Sequence, residues 1–382
     1  MANCEPNEFE DIRPYTDEET AAGLARIAGH PMVYAVSKYL FPHEPINTLS
    51  KMLRRIQGVD DFQKTIMSTA VEWVLQNTVT EFTTEGIENL KGIEQNFLAM
   101  SNHRDIVLDP ALTQYTLYKA GLPLTQIAVG DNLLANDTVE VLLRSNGMIK
   151  VVRGISAREL YLSSLTLSRY IRRTVTSGAG SVWIAQRQGR TKDGLDTTEQ
   201  GLLKMCDMSG EGSFVENFMA LHIVPMSISY EYEPCDFRKA REVLISRTQK
   251  YVKKPDEDMH SILTGIRQQK GRVHLHIGTP LTEAEIEAAS HCGGNDRYQF
   301  IRRAVDRRVV EGYRLFKTNY MGYDLMNGTS KYTAYYSPED LEAFKAYTEH
   351  KLGKLEKRLD KDECRDIFWH IYGNPVAAKE AL

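Results

Sequence analysis

Apolar and polar positions fall into three regimes along the chain. Residues 1–85 read as helical. Asp17 opens an acidic first turn (DEETAAGLARIAG) that closes at Gly29, as a start signal and a stop signal would. Between 60 and 79, Phe62, Ile66, Ala70, Trp73 and Val74 recur at helical spacing and predict one apolar face over a core. The segment His30–Pro42 (HPMVYAVSKYLFP) is the best candidate for a patch resting on a membrane instead.

The middle changes period. Short runs rich in β-formers alternate with helical stretches: Asn96–Ser101 then 110–120, Thr125–Val129 then 132–145, Met148–Val152 then 156–176, Ser181–Ala185 then 197–208. His222–Tyr230, a helical segment near 236–249 and Arg272–Ile277 continue the series. Strands alternating with helices of this length predict an α/β fold, a largely parallel central sheet flanked by helices. Ligands in such sheets sit at the carboxyl ends of the strands, so chemistry is sought just after each one.

From about 284 the chain turns helical and charged. Thr282–Glu287 is a capping pattern, 296–317 a long arginine-rich amphipathic helix, and Ser337-Pro338 opens another helix. The tyrosines around 332–347 read as packing and interface. The expected organisation is a helical region at 1–85, an α/β domain at 86–283 and a C-terminal helical region at 284–382.

Composition narrows the class. With 382 residues, 42% hydrophobic and 26% charged, the chain is globular and large enough for a sizeable core. Five scattered cysteines contain no C-x-x-C, so neither a disulfide framework nor a zinc site is indicated. The acidic N-terminus lacks the order of a secretory signal, and no apolar run approaches the length of a spanning helix. A soluble cytoplasmic protein is expected, with peripheral contact to the inner face of a membrane. The net charge of −4 argues against nucleic acid as a partner.

Charge is nevertheless segregated. From Arg144 to Asp193 ten cationic residues face two anionic ones, a local +8. Arg153 and the Arg187–Lys192 cluster each lie just beyond a predicted strand with a glycine alongside, Gly154 and Gly189, which permits close approach of an anion. Arg153, Gly189, Arg190 and Lys192 are therefore the candidate phosphate- or carboxylate-binding residues.

The most informative segment is Ser101-Asn102-His103-Arg104-Asp105-Ile106-Val107-Leu108-Asp109-Pro110. A strand runs straight into a histidine, and two carboxylates follow. Asp109 before Pro110 also reads as a helix N-cap. His-Arg-Asp is not a kinase catalytic loop, because Pro110 stands where that loop needs Asn. His274 and His276 share a strand face without a third ligand nearby, so no metal site is expected.

Together these segments resemble the glycerolipid acyltransferases, most closely the soluble chloroplast-type glycerol-3-phosphate acyltransferases, over roughly 90–281. Ser-Asn-His to Asp-Pro-Ala at 101–111 is similar to their first block, and Val129-Gly130-Asp131 through Arg153 to the second. Trp183-Ile184-Ala185 with Gly189-Arg190 resembles the third. His222–Tyr230 with Glu231 and Pro234 resembles the fourth, and Arg272–Leu281 the strand that closes the domain. Two departures stand out: five residues rather than four separate His103 from Asp109, and Gln188 occupies a position where many relatives carry Glu.

The resemblance implies acyl transfer from a thioester to a hydroxyl in phospholipid biosynthesis. The donor would be acyl carrier protein or acyl-CoA as co-substrate, with no further cofactor, and the acceptor a glycerol phosphate or lysolipid. An N-acylated amino acid acceptor, or a catalytically degenerate lipid-binding relative, is the alternative. His103 would be the general base and Asp109 its partner, with Asp105 the rival, expected on an outward bulge. Amides at the start of the following helix would stabilise the oxyanion.

Overall fold

A computed structural model describes residues 8–91, 93, 95–134, 136–153 and 156–382. Seven strands form one sheet: β1 (Val79–Glu85), β2 (Leu98–Ser101), β3 (Gln126–Gly130), β4 (Met148–Val151), β5 (Val182–Ala185), β6 (Ile223–Tyr230) and β7 (Gly271–Ile277). Their spatial order is β1-β7-β6-β2-β5-β3-β4. Every neighbouring pair is parallel except β6–β7. The fold is thus α/β with a largely parallel sheet, and β2 to β6 send their carboxyl ends to one edge.

Alternation along each strand decides what covers it. Leu98, Met100, Val182, Ile184 and Ile223 pack under the helices Ala157–Thr176 and Asp296–Glu311, through Leu167, Ile171, Ile301, Val305 and Val309. Their neighbours Ala99, Trp183, Val224 and Met226 face the other way, into a cluster with Leu117. On that side Leu108 and Leu112 join Ile228, Tyr230, Val273 and Leu275 of β6 and β7.

The strand Val79–Glu85 lies inside the stretch expected to be helical. VTEFTTE is β-branched but mostly polar, as suits an edge strand paired only with β7, and it lacks the apolar alternation that marks a strand in sequence. The helical face expected over 60–79 is split by a π-helical turn at Gln63–Met67. Its wider winding hands the buried face from Phe62 and Ile66, packed on Leu24, to Val71 and Val74, packed on the sheet. The arginine-rich helix stops at Glu311 rather than 317, with Gly312 as its cap.

His30–Pro42 forms the helix Pro31–Leu40, whose Val33 and Leu40 are buried. Val33 is packed into the N-terminal core beside Leu24, Leu49 and Leu53, so this face is committed to the fold. Among the described residues, no helix is long and apolar enough to cross a membrane. The C-terminal helices Lys317–Asn327, Pro338–Leu352 and Lys361–Glu380 share a further core with the helix Asp236–Ser246, centred on Phe344, Phe368 and Tyr372.

Candidate active site

β2 ends at Ser101, and the next residues turn across the carboxyl edge of the sheet. His103 lies there, its side chain 15% exposed, with Nδ1 3.0 Å from Asp109 Oδ2. Asp109 is fully buried and held from three further directions. Its Oδ2 accepts from the Arg104 and Asp105 amides at 2.6 and 2.8 Å, and its Oδ1 from the Tyr230 hydroxyl at 2.8 Å. Four donors on one carboxylate fix its position without a mobile side chain among the backbone contacts. The Trp183 ring stands edge-on to the imidazole at 6.3 Å between centroids.

The two carboxylates exchange the roles expected for capping. The helix begins at Leu108 with Val107 at its N-cap position, so Asp109 lies within its first turn, and Asp105 is the carboxylate that takes amides at its start. Asp105 Oδ1 accepts from the Val107 and Leu108 amides, both at 2.9 Å. Asp105 is buried at 1% exposure, not on an outward bulge. The extra residue before Asp109 is absorbed by this capped turn. The same bonds remove the Val107 and Leu108 amides as oxyanion donors, and Pro110 has none to offer.

The third block runs beside the first. The Gln186 amide donates to Ser101 O at 2.7 Å and the Thr191 amide to His103 O at 2.8 Å, which sets Arg190 next to the histidine. Gly189 adopts φ 75°, a left-handed turn that lets the chain double back there. Arg190 is 8% exposed, and its Nη1 has no hydrogen-bond partner. Arg153 follows β4, its amide donating to Asp131 Oδ2 at 3.2 Å. Its guanidinium lies against Gly130, where a Cβ would come within 2.7 Å of it. Burial lowers its pKa against the pull of Asp131, Glu199 and Asp258. Among the described residues neither Arg153 nor Arg190 makes an ion pair.

Lys192 is placed differently. Its ammonium is paired with Glu242, and burial lowers its pKa. Gly154 lies outside the described residues. Two cations of the +8 stretch turn inward instead: Arg144 donates to the Arg13 and Glu10 carbonyls, and Arg172 to those of Cys206 and Asn217.

Three groups of residues escaped sequence reasoning. Tyr230 closes β6 and reaches Asp109. Asp258, on the helix Glu257–Arg267, accepts from Asn132 Nδ2 at 2.9 Å at the exit of β3. Burial would raise its pKa, but bonds from Lys253 and Asn132 and the charge of Arg190 hold it below the usual range.

The third is a buried ionic floor. Arg104, one residue from His103, donates to Asp196 Oδ2 from Nη2 at 2.7 Å and from Nε at 3.1 Å. Asp196 also accepts from Asn102, Thr191 and Tyr313 at 2.8, 2.6 and 2.7 Å. Lys239 bridges Glu233 and the Arg104 carbonyl, at 2.5 and 2.6 Å. Burial would raise the Asp196 pKa, but Arg104 and these donors lower it. Removing one partner of such a pair costs about 3–5 kcal/mol. Asp196→Asn should therefore lower the urea midpoint strongly in equilibrium unfolding. A depressed carboxylate gives stability that is full above its unfolded pKa of about 3.9 and is lost as pH falls toward the folded value. The variant should lose that acid-side dependence, which unfolding measured against pH would show.

No family model matches the chain. Curated relatives do. Dihydroxyacetone phosphate acyltransferase of Bos taurus is 25% identical over 240 residues, 61% of this chain and 33% of that one. The Mus musculus and Homo sapiens proteins of that name are 26% and 24% identical over the same span. The chain therefore spans about a third of the length of these relatives. A solved 1-acyl-sn-glycerophosphate acyltransferase, PlsC, from Thermotoga maritima is similar at TM-score 0.40 and 15% identity, over 77% of this chain and 95% of that one.

Proposed function

We propose that this chain, a relative of the glycerolipid acyltransferases over the matched residues, transfers a fatty acyl group from a thioester to the hydroxyl of a phosphate-bearing glycerol acceptor. One observation carries the reading. A histidine whose Nδ1 lies 3.0 Å from a buried carboxylate stands at the same sheet edge as Arg190 and Arg153, neither of which makes an ion pair among the described residues.

The chemistry follows from the groups. Attack on a thioester carbonyl requires the acceptor hydroxyl to lose its proton as the bond forms. With Nδ1–H donated to Asp109, the imidazole presents Nε2 as the base, and the carboxylate stabilises the imidazolium that results. The acceptor is itself the nucleophile, so the acyl group passes directly from sulfur to oxygen. The leaving thiolate then recovers the proton from His103. Arg190 and Arg153 would hold the acceptor's phosphate and turn the attack into a positioned, effectively unimolecular step. Dihydroxyacetone phosphate and glycerol-3-phosphate both present the required hydroxyl and phosphate. The donor would be acyl-CoA or acyl carrier protein, delivered at the face of an anionic membrane.

Purified protein offered acyl-CoA or acyl carrier protein with a panel of acceptors should yield an acylated glycerol phosphate by mass spectrometry, with free thiol in equal amount. Binding of acceptor with no thiol release from any donor would overturn the reading. Arg190→Ala should raise the acceptor KM about 10- to 100-fold, the loss of about 1.5–3 kcal/mol from a charge-assisted hydrogen bond. A rise in the donor KM alone would assign Arg190 to the thioester's phosphates instead.

A further inference from the structure

The loop that carries Arg190 is held from two sides, and only one of them belongs to the sheet. On the sheet side the Thr191 amide donates to His103 O at 2.8 Å, and the Thr191 hydroxyl to Asp196 Oδ1 at 2.6 Å. On the other side stands the C-terminal helix Lys361–Glu380, which has a proline, Pro375, in its interior. Proline is costly there: it has no N–H to return to the carbonyl four residues earlier, and its ring crowds that carbonyl. The carbonyl concerned is that of Ile371.

The loop packs into this interruption. Gly194 comes so close that a Cβ on it would lie 2.4 Å from Ile371 O and 3.2 Å from Pro375 Cδ. Only a hydrogen fits between the two backbones. Gly194 also takes φ 83°, a left-handed conformation that disfavours a side chain. Next to it, Asn374 Nδ2 donates to Asp193 O at 2.7 Å. Ile371, Asn374 and Pro375 share one helix face by their spacing. One turn further on, Lys379 donates to Tyr313 O at 2.7 Å, and the Tyr313 hydroxyl donates to Asp196 Oδ2 at 2.7 Å. The helix thus reaches Asp193 and Gly194 directly, and Asp196 through Tyr313.

These contacts bear on the candidate anion site. Arg190 is buried and makes no ion pair among the described residues, so its place depends on the backbone that carries it. Thr191 ties that backbone to the histidine's turn. The return of the loop is tied by the Lys192–Glu242 pair and by the notch in the C-terminal helix. A proline that serves no turn and no cap, placed where a loop glycine meets the carbonyl it spares, reads as a fitted joint.

We infer that Asn374 and Pro375 are positioning residues: the notch they make sets the return of the Gly189–Asp196 loop, and with it the Arg190 guanidinium at the acceptor's phosphate. The C-terminal helical region is then part of how the acceptor site is built. The kinetic side of this inference rests on the acyl-transfer reading, and the loop's rigidity does not.

The test is a set of variants followed by steady-state kinetics, thermal melts and hydrogen–deuterium exchange of the peptide 187–197. The acceptor is whichever of glycerol-3-phosphate and dihydroxyacetone phosphate the wild type acylates. Pro375→Ala supplies the missing N–H, so the helix can close on Ile371 O and the notch is lost. Its melting temperature should equal or exceed the wild type, because alanine suits a helix interior. Its acceptor KM should nevertheless rise about 5- to 20-fold, with kcat within about threefold. Asn374→Ala should raise the acceptor KM in the same way, and both variants should exchange faster in the loop. Gly194→Ala puts a methyl against Ile371 O and should give the largest rise in KM; the two helix variants decide the matter if it does not fold. Wild-type acceptor KM and wild-type loop exchange in Pro375→Ala and Asn374→Ala would overturn the inference. So would lower melting temperatures with equal losses in kcat and in both KM values, since the helix would then be a general prop. Faster loop exchange in the variants, with no acyl transfer by the wild type, would defeat the catalytic reading and leave the joint standing.

Discussion

His103→Ala removes the base and should lower kcat by at least about 100- to 10,000-fold, the range that general-base catalysis supplies. The acceptor KM should move little, because the arginines that would hold the phosphate lie on other loops, after β4 and β5. The fold should survive. His103 is partly exposed and bonds through its side chain to Asp109, which keeps three other donors. Far-ultraviolet circular dichroism and a thermal melt should overlay the wild type, and initial rates at saturating donor should show the loss. A variant within tenfold of wild type would sink the mechanism, since neither Asp109, whose carboxylate oxygens are both occupied, nor the arginines can replace a base at that point.

Much of the sheet is legible because its central strands are buried on both faces, so that LAMS and VWIA are short apolar runs. MIKV, half-buried at the edge, is followed by a helix that opens with a capping box from Ser156 to Glu159. β1 is hidden because an edge strand with one partner is allowed to be polar. The π-helical turn at Gln63–Met67 is hidden because it changes the period by one residue inside an otherwise helical pattern.

The site divides in the same way. His103, Arg153 and Arg190 announce themselves by following strands, a local relation. The ionic floor does not, because Arg104, Asp196, Glu233 and Lys239 look like ordinary surface charges in sequence and become buried only through contacts some 90 to 135 residues apart. Tyr230 had a local signal. It ends a strand and shares a face with Ile228, toward the helix that carries Asp109.

The choice between the two aspartates gives the sharpest separation of chemistry from structure. Asp109→Asn keeps the volume and, with its carbonyl toward the Arg104 and Asp105 amides, keeps those bonds. Its amide group would then meet Tyr230, whose hydroxyl can accept as well as donate. The negative charge facing the imidazole is gone, so the imidazolium formed during attack loses its counter-ion. The expected result is a fall in kcat of about 100-fold or more, with stability lowered by about 1–3 kcal/mol for a buried network partly unsatisfied. Asp105→Asn also keeps its acceptor, and Asn caps nearly as well as Asp, so the Val107 and Leu108 bonds persist. Its second oxygen, buried against Gly265 without a partner, is where a charge is lost. Removing an unpaired buried charge should leave kcat within about threefold and the melting temperature equal or higher. Asp105→Ala adds the control, losing about 0.5–2 kcal/mol through the cap while the rate holds. Steady-state kinetics and melts on the three variants decide the matter. A rate lost in Asp105→Asn and kept in Asp109→Asn would mean that the 3.0 Å contact between His103 and Asp109 serves only the fold.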